Sequence, residues 1–207
     1  MRANSQARSI LNEYPDNVKQ FFANLDEKCK SRRISLVLSP FKTITISSGR
    51  CSGYFDPFNK KLAVCLGNDL EKSLSVAIHE SCHLDQEADY NSVWYEHYDN
   101  YSDFFSWIEG SRRKKPFELV QSAIAIEADC ERRALKQVRK NWSHIIDPKE
   151  YAKRAAVYIY FYLYCYQTRN WSNKPFVEEI IEACPAKIPN KVEVIPQKLL
   201  KQFERFL

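Results

Sequence analysis

The chain has 207 residues, a net charge of +5, 44% hydrophobic residues and four glycines. That length allows one domain with a sizeable core, and so few glycines argue against a sandwich or barrel built from many tight turns. The charge permits contact with nucleic acid or an acidic surface without calling for it.

The seven cysteines are odd in number and contain no C-x-x-C pair. They fit neither a disulfide framework nor a zinc ribbon, and read as core thiols of a reducing compartment. Residues 1–6 carry no apolar stretch of the kind that begins a secretion signal. The apolar run 155–166 is far shorter than a membrane span. The expectation is a cytoplasmic protein with no membrane partner.

Taken in order, Val18, Phe21, Phe22, Leu25 and Cys29 recur at helical spacing and predict a first helix over 16–30. The period then changes. Residues 34–38, 43–47, 52–55 and 62–66 read as four strands, with a turn at 56–59, and predict a small, mostly antiparallel sheet. Gly67 to Asp69 break the last strand, and Asn68 with Glu71 resembles a capping box. A helix follows from Leu70 to about Asp85.

This helix carries His79-Glu80-Ser81-Cys82-His83, an H-E-x-x-H. Residues four apart share a helix face, so His79 and His83 can offer two imidazole nitrogens to one metal ion. Glu80 lies about 100° round the axis, where it can reach a water on that ion. The set suits a zinc hydrolase: two neutral nitrogen ligands and a carboxylate base. Cys82 reads as a packing residue.

Residues 86–115 are polar and aromatic and predict a partly helical insertion ending near Gly110. The basic run Arg112 to Lys115 closes it, most simply as a solvated loop and otherwise as a contact for an acidic partner. Pro116 opens a long helix to about Lys140. Its apolar stripe runs Val120, Ile124, position 127, position 131, Leu135 and Val138, and the two unexplained positions are Glu127 and Glu131. A carboxylate on a core-facing stripe is costly unless paired or metal-bound. Asp129 lies about 160° from Glu127 round the axis. Further helices are predicted over 148–168, with Asp147 as N-cap, over 174–184, and over 197–207. His144 reads as structural.

The H-E-x-x-H with a downstream helical Glu resembles the zincin metallopeptidases of the gluzincin type. It is similar to small metallopeptidases inferred in phage and bacterial genomes. The resemblance implies an α+β fold, a mainly helical minimal zincin-like domain whose N-terminal sheet packs against the H-E-x-x-H helix. The resemblance covers roughly 16–168, the core of a single domain expected over 1–207 with a helical extension over 169–207. It implies one zinc ion held by His79, His83 and Glu127, with Glu80 as general base and a protein or peptide as substrate. Glu131 and Asp129 are candidates for supporting the ligands, and Glu131 stands where many gluzincins carry an Asp. His97, Tyr95 and Tyr98 are candidate oxyanion donors. Asp129, Glu131 and His97 stay open as alternative third ligands. The resemblance also implies that the 62–66 strand is the sheet edge that pairs with substrate. The competing expectation is a non-catalytic, metal-stabilised binding protein, in one form associated with nucleic acid.

Overall fold

The computed structural model describes residues 1–46, 49–90, 92–171, 176–189 and 191–207. The fold is a mainly helical α+β arrangement with a small sheet, as the sequence leads one to expect. The chain forms two compact units, 1–88 and 89–207.

The first unit holds the sheet. Strand β1 (Arg2–Ala3) leads into helix α1 (Ser5–Glu13), whose first turn is capped by Asn4 Oδ1 accepting from Ala7 N–H at 2.8 Å. Helix α2 (Asp16–Ser31) buries Val18, Phe22, Leu25 and Cys29 as one stripe and packs against strand β2 (Ser35–Ser39). Strands β3 (Ile44–Ile46) and β4 (Gly49–Cys51) form a separate antiparallel ribbon. Strands β5 (Gly53–Asp56) and β6 (Lys61–Cys65) complete the main sheet, in the order β1-β2-β6-β5.

The main sheet is mixed, since β1/β2 and β2/β6 are parallel while only β5/β6 is antiparallel. The segment 43–47 contributes β3 to the ribbon instead of the sheet, and its last residue lies outside the described residues. β6 is a central strand, with Leu62 to Cys65 all buried, and the edge next to it is β5. The sequence-based choice of 62–66 as the edge is therefore corrected. An unbroken apolar run marks a strand covered on both faces, whereas β5 is half-buried along its length.

Between β6 and the next helix the chain passes under 40–42 at Gly67. A Cβ there would lie 2.4 Å from Pro40 O and 2.6 Å from the Phe41 carbonyl carbon, so only glycine fits. Helix α3 (Leu70–Ala88) then starts on Asp69, whose Oδ1 accepts from Lys72 N–H at 2.7 Å. The cap is thus Asp69 and not Asn68, whose side-chain amide donates instead to Lys42 O. Ser73 Oγ donates to Cys65 O at 3.1 Å and ties the first turn to the strand end. Near its other end α3 is clamped to α2, where Lys28 and Arg32 both reach the Asp85 carboxylate, at 2.6 and 3.3 Å.

The second unit is helical. The 86–115 region forms a continuous helix α4 (Val93–Ile108), and Gly110, at φ +107, ends it. Helix α5 (Pro116–Gln137) packs against both α4 and helix α6 (Pro148–Thr168). The sequence predicts α5 to run to 140. It instead changes at Val138 into a π-helical turn, Val138–Trp142. Asp147 caps α6 as expected, accepting from Lys149 N–H at 2.7 Å. Short helix α7 (Glu178–Ala183) and helix α8 (Gln197–Phe206) follow. Of the helix expected over 174–184, residues 174 and 175 lie outside the described residues. Among the described residues no helix is long and apolar enough to cross a membrane.

Candidate metal centre

In the first unit, the expected helix does place His79 and His83 together. Their Nε2 atoms lie 3.1 Å apart, with the rings edge to face. Two nitrogens bound to one tetrahedral zinc ion lie about 3.3 Å apart, so the pair fits an ion with little movement. His83 Nδ1 is 2.8 Å from Gln86 Oε1. An amide oxygen only accepts, so Nδ1 carries the proton and Nε2 of a neutral His83 carries the lone pair. Hydrogen bonding of this kind orients ligand histidines in metalloproteins. The donor set therefore fits a metal ion on its chemistry.

Glu80 and His83 are both buried. Glu80 rests against the edge strand, since a Cβ built on Gly53 would touch Glu80 Cγ at 3.4 Å. Gly53 thus leaves room for α3 to approach β5 at the turn that carries the motif. Cys82 is fully buried, in keeping with a packing role.

In the second unit, Glu127, Cys130 and Glu131 follow one another at i, i+3 and i+4 on α5, and so share a helix face. Glu127 is 1% exposed. Its Oε1 accepts from Tyr101 of α4 at 2.9 Å and from Tyr162 of α6 at 3.0 Å. Burial, and then the Glu127 charge, hold both tyrosines well above their usual pKa of 10.0, so they stay protonated and donate. Glu131 Oε2 accepts from Tyr151 at 2.6 Å.

Asp129 accepts from Arg133 Nε at 2.7 Å. His97 Nδ1 lies 3.1 Å from Ser122 Oγ. Tyr98 stacks on Trp94, and Tyr95 stacks on Tyr90 and is exposed. His144 stacks on Trp142. Within the basic run, Arg113 pairs with Asp103 and Lys115 with Glu118.

His79 and His83, in the first unit, carry donor atoms that could hold a metal ion. In the second unit, sequence reading passed over Cys130 as one more core thiol, though it is a further donor on the Glu127 and Glu131 face of α5. Gln86 was also missed, and its signal was the spacing of three from His83, within one turn of the same helix.

Comparison of the chain with protein-family models, with curated proteins and with solved structures gives no match.

Proposed function

We propose that this chain is a zinc-dependent peptidase of the gluzincin kind. One observation carries the reading: the paired imidazole nitrogens, 3.1 Å apart, with Gln86 fixing the His83 tautomer and Glu80 next to His79 in the motif. His79 and His83 supply two ligands. Glu127 is the third by its place on the apolar stripe of α5, and the Cys130 thiol is the alternative of different donor type. A bound zinc ion supplies a water acidified toward a pKa of about 7. With the ion bound, the Glu80 carboxylate would hold the proton released as the water oxygen bonds to the peptide carbonyl carbon, and would give it to the nitrogen as the C–N bond breaks. Burial keeps the carboxylate away from bulk solvent. The edge strand β5, one face of which rests against Glu80 at Gly53, is the element on which an extended peptide can add as a strand.

The test is metal content and hydrolysis of a quenched peptide mixture by wild type and Glu80→Gln. The variant keeps about one zinc per chain and loses hydrolysis by about 100-fold or more. Equal hydrolysis in the variant overturns the mechanism. Retained zinc with no hydrolysis in the wild type favours the metal-stabilised binding protein. Glu127→Ala beside Cys130→Ser separates the two third-ligand assignments by which one loses zinc.

A further inference from the structure

Where α5 passes into its π-helical turn, the second unit has an open groove of about 500 Å³. Its walls carry Arg132, Lys136, Arg139, Lys140 and Lys187, and no acidic residue. Among the described residues, Lys136, Arg139, Lys140 and Lys187 have no ion-pair partner. Like charges gathered without counterions oppose one another, so such a cluster is a cost to the fold that an anionic ligand relieves.

The groove is built, not frayed. One wall is the helix. The other is the segment 186–188, bracketed by Pro185 and Pro189. Arg132 Nη1 donates to Pro189 O at 3.4 Å, and Gln121 Nε2 donates to Val192 O at 2.7 Å, so the chain that leaves this wall is tied back to α5 at two points. Leu135 and Ile188 form a buried floor. The π-turn widens the helix where Arg139 and Lys140 project, and such turns recur at functional sites.

We propose that this groove binds the phosphate backbone of nucleic acid. The cations from Arg132 to Lys140 extend over about 12 Å of helix, which suits a run of charges along a strand better than one compact anion. The floor holds no aromatic ring for base stacking, and the walls hold no Asn or Gln for base edges. Recognition is therefore of the backbone and independent of sequence. An acidic protein partner would want a large exposed apolar centre, and the two large apolar residues here, Leu135 and Ile188, are buried. None of these residues is a candidate zinc ligand, so the inference stands apart from the peptidase reading.

The test uses the full chain and a fluorescein-labelled DNA duplex of about 20 base pairs, followed by anisotropy from about 50 to 200 mM salt. The wild type binds at low salt and weakens steeply as salt rises. The Lys136→Glu/Arg139→Glu/Lys140→Glu variant binds about ten-fold or more weakly, with a salt slope smaller by about 2 to 3. Lys60→Glu/Lys61→Glu, in the first unit, changes affinity less than about two-fold. If the triple variant melts early, the exposed single substitution Lys136→Glu is read instead, with a slope change of about 1. The proposal falls if the wild type does not bind the duplex at low salt, or if the 60/61 variant loses as much as the triple variant. It also falls if polyglutamate of equal charge, or inorganic pyrophosphate, displaces the duplex as readily as unlabelled DNA.

Discussion

His83 Nδ1–H donates to Gln86 Oε1, across 2.8 Å and within one turn of the same helix. That single bond decides which ring nitrogen is left for a metal. Removing the acceptor frees the ring to take the other tautomer and to rotate. Gln86→Ala is expected to weaken zinc binding by about 10- to 100-fold, and Gln86→Glu, which restores an acceptor, to recover most of it. Competition with a zinc chelator dye measures both. Unchanged affinity in the Ala variant would mean that something else orients the ring.

Gly53 and Glu80 set the distance between sheet and motif helix. A methyl group at Gly53 would stand 2.4 Å from Val76 Cγ1 and 2.8 Å from Ala63 O. The valine is stiff at χ1 and the carbonyl belongs to the neighbouring strand, so neither yields cheaply. Gly53→Ala is expected to cost about 1–3 kcal/mol, as overpacking does, and to lower the melting temperature accordingly. A variant that melts with the wild type would show that β5 and α3 separate without penalty.

These two relations show what a sequence discloses and what it conceals. The helical period places His79 and His83 on one face, and the α5 stripe exposes Glu127 as an anomaly, because both are local patterns of three and four. The bounds of α6 are equally legible, since Asp147 and Pro148 mark its start by their own chemistry. Strand partners are not local. Nothing in 43–47 says that it pairs with its neighbour β4 instead of joining the main sheet, or that β5 and not β6 lies at the edge. The tyrosines that hold Glu127 stand 26 and 35 residues away in the chain, on α4 and α6. Only the packing of those helices on α5 brings them to it.

Glu127 Oε1 takes two tyrosine hydroxyls, which makes the pair a coupled unit. Tyr101→Phe or Tyr162→Phe removes one donor from a buried carboxylate. Each is expected to destabilise by about 1.5–3 kcal/mol, the range for hydrogen bonds to charged groups. In the double variant the losses are expected to depart from additivity by about 0.5 kcal/mol or more. Urea denaturation of the four proteins, with unchanged m values, measures this. Additive losses below about 0.5 kcal/mol would show that the hydroxyls contribute no shared stabilisation.

The fold is expected to lose stability at alkaline pH. Burial, its largest cause, pushes the Cys29 and Cys51 thiols from 9.0 up to about 11, and the Cys184 thiol to about 12. Tyr101 and Tyr162 are shifted upward in the same way. In each case the folded chain keeps a proton that the unfolded chain releases. Their contribution is therefore complete below the unfolded thiol value near 9.0 and is lost as pH rises through the folded values. The urea midpoint is expected to be level from about pH 7 to 8 and to fall from about pH 9 to 11. Cys29 and Cys184, buried at 0% and 4% exposure, should resist iodoacetamide at about pH 8 until urea unfolds the chain. A midpoint that rises across the alkaline range, or rapid labelling of both thiols in the native protein, would contradict the burial from which these shifts arise.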